Sequence, residues 1–384
     1  MKKLGIIGFG TRASELMDSF LRLEEMEIAA VCDPNLNTLE TYCTEHGIDR
    51  GSIRVFEQPE QMLEECKELD GVIVATRCSL HTEMARLVLA HHMPLFLEKP
   101  ISTTRQDLRR LQTAAKGAEH RVTVSFPLRL TPLCQRVKQL IEAGTIGRVT
   151  QIQAVNNVHY GGVYFHDWYR DTEETGGLFM QKATHDFDYI NYLMGDEPVE
   201  ICAMTSRQYF VGSHPFDQSC DSCAEKRSCP ESPFCLTTCS DEPVRGRMCC
   251  FTDACKNEDS SSALIRYRSG AHAVYTQNVQ VKKKAGYRGA TVIGERGTIR
   301  FDWTSDTIQV FMHYSSEVQT YHVPVPRPGH QGGDLALAWD FLRVMQGEPS
   351  QADLFDGYKS TQMCLAARTS AEEHRFVGLE EGGY

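Results

Sequence analysis

The 384-residue chain is expected to fold as an open, doubly wound parallel α/β domain followed by an α+β domain with a large, mostly antiparallel sheet. Short apolar runs alternate with amphipathic stretches over residues 1–126, and a glycine turn joins the first run to the first helical stretch. After Pro127, strand-like runs follow one another with only turn-length gaps. Length agrees, since roughly 100–200 residues per domain gives two domains.

In the first part the apolar runs fall at 4–7, 28–32, 53–56, 72–75, 95–97 and 122–126, with helical patterns at 14–23, 36–46, 80–91 and 104–118. Several runs are continuously apolar, which a parallel strand buried on both faces requires. This is a dinucleotide-type Rossmann pattern over 1–126. The second domain, 127–384, starts with a helix at 132–143, a long strand at 149–159 and a helix at 177–194. Strand-like runs at 263–267, 272–280, 291–293, 298–301, 307–311 and 318–323 are too closely spaced for parallel crossovers. Helices at 334–345 and 355–373 close the pattern and are candidates for returning to the first domain.

With 40 basic and 51 acidic residues the net charge is −11, which disfavours phosphate backbones and anionic lipid surfaces. No window approaches the roughly 20 apolar residues of a membrane helix, and no signal-peptide pattern opens the chain. A cytoplasmic protein is expected, binding neither nucleic acid nor membrane. Its fifteen cysteines are uneven: eight, including Cys235, Cys239, Cys249 and Cys250, fall between positions 220 and 255. Scattered Cys32, Cys43, Cys66, Cys78, Cys134 and Cys364 suit small buried hydrophobes of a reducing compartment.

Gly8-Phe9-Gly10-Thr11-Arg12-Ala13 follows the first strand and opens the first helix. Gly8 permits the tight turn, Gly10 allows close backbone approach to a pyrophosphate, and the helix start offers free N–H groups. Asp33 ends the second strand at the distance expected of a carboxylate taking a ribose 2′-hydroxyl. An acid there repels a 2′-phosphate, so NAD is favoured over NADP, with Arg12 as the one nearby cation that could reach a phosphate.

Leu97-Glu98-Lys99-Pro100 at the fifth strand, Thr76-Arg77-Cys78-Ser79-Leu80-His81 after the fourth, and the glycine turn together resemble the Gfo/Idh/MocA oxidoreductases. That resemblance covers all but the cysteine-rich stretch. It implies that Lys99 lies beside the nicotinamide and the reacting hydroxyl and that Glu98 frames the cofactor. Thr76 and His81 match the family's fourth-strand segment, where Arg77 and Cys78 replace Pro and Asn; His81 also reads as an ordinary helix-start histidine.

Thr175-Gly176-Gly177 and the helix running through Gln181, His185 and Asp188 resemble the family's glycine-rich, His-containing element. Residues 181, 185 and 188 share one helix face. His185 matches the catalytic histidine; an imidazole suits proton transfer from a sugar hydroxyl. The family's aspartate position is Gln181, which cannot exchange a proton, and Lys182 follows as a candidate helper or anion stabiliser. His159, Tyr160, His166, Trp168 and Arg170 mix stacking rings with polar groups, as a sugar site needs, although aromatic loops also serve plain burial. Asp188 and Gln181 complete the candidate substrate set, with helix bracing as the other reading of Asp188.

Cys220-x2-Cys223-x5-Cys229-Pro230 places three thiols on a short knuckle, suited to tetrahedral metal, and resembles an insertion found in a subset of the family. Structural zinc is the leading expectation, with Cys255 as fourth ligand and Cys235, Cys249 or Cys250 as alternatives; an iron-sulfur cluster, disulfides and free thiols stay open. The insertion spans about 205–260. Three functions remain: an NAD-dependent oxidoreductase acting on a ring hydroxyl of a sugar, glycoside or cyclitol; a redox-neutral glycosidase using tightly bound NAD; and a non-catalytic sugar or NAD sensor. The family resemblance also implies a homo-oligomer, dimer or tetramer.

Overall fold

The computed structural model describes residues 1–236, 246–324 and 329–379, which fall into two compact units. The first comprises 1–135 and 329–362. Its strands β1 (Lys2–Ile7), β2 (Met26–Cys32), β3 (Arg54–Phe56), β4 (Gly71–Val74), β5 (Leu95–Leu97) and β6 (Val122–Val124) are all parallel, in the order β3-β2-β1-β4-β5-β6. The order reverses between β1 and β4, which places a topological switch point at the carboxyl end of β1, where open sheets take their ligands. β4, β5 and β6 are buried along their whole length, as the continuous apolar runs require.

Two features of this unit come from distant sequence. The helix Gly333–Val344 contributes Leu337, Ala338 and Phe341 to the core that holds Leu4, Ile6 and Phe20. Gly333 has no room for a side chain there: a Cβ would lie 2.3 Å from the Pro127 carbonyl oxygen. The short helix Pro127–Leu130 belongs to this unit as well.

The second unit comprises 136–236, 246–324 and 363–379. Nine strands form one sheet: β7 (Val149–Asn157), β8 (Pro198–Ser206), β9 (Ser260–Tyr267), β10 (His272–Asn278), β11 (Tyr287–Gly294), β12 (Gly297–Asp302), β13 (Thr307–Met312), β14 (Val318–His322) and β15 (Val377–Gly378). Their order is β14-β13-β12-β11-β7-β10-β9-β8-β15. Every pairing is antiparallel except β7 with β10. β8 was not expected from the sequence: its pattern of buried and exposed positions does not alternate, so Pro-Val-Glu-Ile-Cys-Ala-Met-Thr-Ser carries no period-two signal.

The expected helix at 177–194 is two pieces, a π-helical turn Phe179–Ala183 running into the α-helix Thr184–Met194. Such π turns are rare and concentrate at functional sites. The cysteine-rich insertion leaves and re-enters at Ser206 and Ser260, residues paired directly across β8 and β9. It therefore hangs from a hairpin end without disturbing the sheet. Asp259 closes its base by accepting N–H bonds from Gln208, Tyr209 and Phe210 at 2.6–3.1 Å.

Candidate functional site

The nucleotide-binding elements lie in the first unit. Gly8 has φ +88°, and a Cβ there would meet the Ala75 oxygen at 2.8 Å, so only glycine fits. Nothing lies within 4 Å of a Cβ built on Gly10, and no acidic residue stands in the first turn of the helix Thr11–Leu21. That leaves the helix N-terminus open to a pyrophosphate. Asp33 Oδ2 accepts the Phe9 N–H at 2.6 Å while Oδ1 accepts the Asn35 N–H at 2.7 Å, which ties the second strand's end to the glycine turn. Glycine, open helix start and carboxylate together fit NAD.

Arg12 is held elsewhere. Its guanidinium donates to Glu98 Oε1 at 2.7 Å, to both Asp334 oxygens at 2.9 and 3.0 Å, and to Ser125 Oγ at 3.2 Å. With its fork committed to two buried carboxylates, the arginine is not the phosphate cation that its place in the turn suggested. Burial pushes Glu98 upward, but Arg12 and then Lys99 outweigh it and hold the carboxyl below its ordinary value. Asp334 is likewise buried and is driven far below the carboxylate range by Arg12 and His330.

Lys99 follows Glu98 and is half-buried; its peptide bond to Pro100 is cis. His81 is fully buried, with Nδ1 2.7 Å from the Pro100 carbonyl oxygen and Nε2 3.1 Å from that of Thr76. Both ring nitrogens are thus engaged with backbone, and His81 braces the two loops that carry Thr76 and Lys99. Its burial lowers its pKa.

In the second unit, the π turn and helix carry Gln181, Lys182, His185 and Asp188, all buried. What fixes this helix was not singled out in the sequence. Asp186 accepts from Asn156 Nδ2 and the Tyr275 hydroxyl at 2.8 Å each, and from Arg288 Nε and Nη2 at 2.9 and 2.7 Å. These partners sit on β7, β10 and β11, so one carboxylate clamps the helix start to three strands beside His185. At the amino end, Glu258 accepts the N–H groups of Leu178 and Phe179, where a helix dipole favours negative charge, although burial pushes its pKa up. Gln181 turns its amide to the Thr175 carbonyl at 3.4 Å. Lys182 donates to the Tyr160 hydroxyl, and His159 packs edge-on against Tyr160.

The aromatic loop divides. Tyr160 is 41% exposed, but His166 and Arg170 are buried toward the insertion. His166 Nδ1 donates to the Met248 carbonyl at 2.6 Å, and its buried Nε2 has no hydrogen-bond partner. Arg170 donates one N–H to the Phe216 carbonyl and lies 4.0 Å from that ring's centroid. Trp168 stacks on Tyr169, and Phe165 stacks on Phe210 of the insertion. His166 and Arg170, expected at a sugar site, here pack between the loop and the insertion.

The metal expectation gains no support from the described residues. Cys220, Cys223, Cys229, Cys249 and Cys250 line a cavity of about 20 Å³ together with His166. Among the described residues, however, no group of three or more His, Cys, Asp or Glu side chains is arranged to hold a metal ion. Cys255 is not at that cavity; it is fully buried in an apolar cluster with Phe165 and Phe210, its Sγ donating to the Arg170 carbonyl. Burial pushes the Cys220 thiol up to about 11, and Cys229 and Cys249 are raised as well. Cys239 lies outside the described residues. Among those described, no cysteine is in a disulfide.

The NAD-binding Rossmann domain of an oxidoreductase family matches residues 2–126, and the Gfo/Idh/MocA C-terminal domain matches 134–300. The chain belongs to the Gfo/Idh/MocA oxidoreductases. The oxidoreductase YteT of Bacillus subtilis is 29% identical over 355 residues, covering 81% of this chain and 82% of that one. Myo-inositol 2-dehydrogenase of Thermotoga maritima is 22% identical over 383 residues, covering 99% of each. A solved levoglucosan dehydrogenase in complex with NADH and levoglucosan shares the fold with a TM-score of 0.78 at 18% identity, covering 99% of this chain and all of that one. No helix among the described residues is long and apolar enough to cross a membrane.

Proposed function

We propose that this family member is an NAD-dependent oxidoreductase acting on a ring hydroxyl of a sugar, glycoside or cyclitol. One observation chiefly supports this: a buried histidine, His185, stands on a helix start that Asp186 locks to three strands, in a chain that also carries the open Gly10 and Asp33 cradle. A base fixed this way loses little orientational freedom on meeting substrate. When bound, NAD supplies the acceptor for the hydride leaving the carbinol carbon. His185 takes the hydroxyl proton, and the Lys99 ammonium polarises the oxygen. Glu98, held by Arg12 and Ser125, keeps the segment bearing Lys99 in place. Gln181, bonded to backbone, moves no proton.

The missing carboxylate at Gln181 also favours a second reading, the redox-neutral route in which oxidation at C3 acidifies C2, the glycosidic bond is eliminated, water adds and the ketone is reduced again. One assay separates the two: incubation with free sugars, cyclitols and nitrophenyl glycosides while following NADH and released phenol. NADH with free polyols supports the first, phenol without NADH the second. Neither product, with sugar or NAD still bound, supports a sensor. The dimer or tetramer implied by the family is a proposal that light scattering tests.

A further inference from the structure

Among the described residues, buried Arg129 and the half-buried Arg288 and Lys282 each meet a carboxylate, whereas buried Arg170 is held by the Phe216 carbonyl and ring. Arg129 pairs with Asp356 at 2.5 Å, Arg288 with Asp186 at 2.7 Å, and Lys282 reaches the buried Glu231 at 2.9 Å. Lys182 differs. It is only 5% exposed, yet its polar partner is the Tyr160 hydroxyl, with Nζ 4.5 Å from the centroid of that ring, and among the described residues no carboxylate pairs with it. A desolvated ammonium without a counter-ion is costly, so such a group is kept where an anion completes it. Tyr160, its partner, is 41% exposed. A phenol whose oxygen accepts from an ammonium donates its own hydrogen more strongly.

The neighbouring residue points the same way. Gln181 is neutral where the family pattern would place an acid, and its amide is turned to the Thr175 carbonyl. The turn Phe179–Ala183 thus carries a buried positive charge and no negative one, one helical turn before His185. We propose that Lys182 and Tyr160 form a carboxylate subsite, and that the substrate class is a sugar acid, a uronate or aldonate, rather than a neutral sugar. This deepens the oxidoreductase reading and rests on it for the word substrate. A monoanionic carboxylate suits one ammonium and one phenol; a phosphate dianion asks for more cationic partners than this turn supplies.

Calorimetric titration of the NADH-loaded protein with matched pairs, glucuronate against glucose and galacturonate against galactose, tests it, with glucose 6-phosphate as a third arm. The acid of each pair should bind about tenfold or more tighter, the scale of a charge-assisted hydrogen bond. Lys182→Met should bring the ratio near one, Lys182→Arg should keep most of it, and Tyr160→Phe should reduce it. Equal or tighter binding of the neutral sugars, binding of neither member of a pair, a preference for the phosphate, or an acid preference that survives Lys182→Met in a folded variant would overturn the subsite. Selective binding of acids without NADH formation under turnover conditions would leave the subsite standing and remove the oxidoreductase reading. NADH formed from neutral and acidic sugars alike would do the reverse.

Discussion

Arg12 Nε lies 2.7 Å from Glu98 Oε1, joining the glycine turn after β1 to the segment after β5. The same guanidinium bridges to Asp334, far along the chain, with 22% of the arginine side chain and 1% of the aspartate's exposed. Removing the arginine strands two buried carboxylates. Arg12→Met is expected to lower unfolding free energy by about 3–5 kcal/mol, and Arg12→Lys to recover only part, because an ammonium cannot reproduce the bidentate contact to Asp334 together with the bond to Glu98. Urea unfolding measures it; a loss below about 1 kcal/mol would show that the network is solvent-screened.

Because Arg12 is committed to carboxylates, Asp33 is left to set cofactor preference. Asp33→Ser should raise the efficiency with NADP relative to NAD by about tenfold, equivalent to about 1.4 kcal/mol of relieved repulsion. Steady-state kinetics with both cofactors would read this ratio. An unchanged preference would assign the discrimination to another residue.

His81 and His166 are buried with lowered pKa values. In each case the unfolded state, titrating near about 6.5, takes up its proton first as pH falls. Their contribution to stability is therefore complete above that pH and is lost progressively below it, toward the lowered folded values. Asp353, raised to about 6 by burial and by Asp356, acts in the opposite sense, its contribution being lost as pH rises through that value. The difference between wild type and His166→Gln isolates the histidine: denaturant midpoints should fall less steeply in the variant between pH 7 and 5. Parallel slopes would mean that His166 titrates alike in both states.

Local signals were legible in the sequence and distant ones were not. Gly8, Gly10 and Asp33 sit within a single β-turn-α-turn-β unit, where spacing determines geometry, and Asp33 accepts the Phe9 N–H of the turn. Arg12 belongs to the same stretch, but its partner Asp334 is 322 residues away, so that contact carried no local signal. His166 and Arg170 have residue types suited to sugars; which way they point depends on Met248 and Phe216, in an insertion whose path carries no periodic signal. The knuckle spacing of Cys220, Cys223 and Cys229 brings thiols to one cavity, yet among the described residues no three ligand side chains are arranged there around a metal ion.

Asp186 carries no local sequence signal, because its partners lie on three distant strands, yet it holds four hydrogen bonds with no exposed surface. Asp186→Asn keeps the shape but removes the charge facing Arg288, and its amide group would point two donors at groups that already donate. The expected cost is about 3–5 kcal/mol of stability. For activity, the helix start carrying His185 loses its anchor to β7, β10 and β11, so kcat should fall at least about tenfold while NADH binding, which depends on the other unit, changes little. Asp186→Asn/Arg288→Gln should recover part of the stability, since both buried charges are then absent. If instead NADH affinity falls in parallel with kcat, the damage is global, and Asp186 is a folding determinant without a specific role in positioning His185.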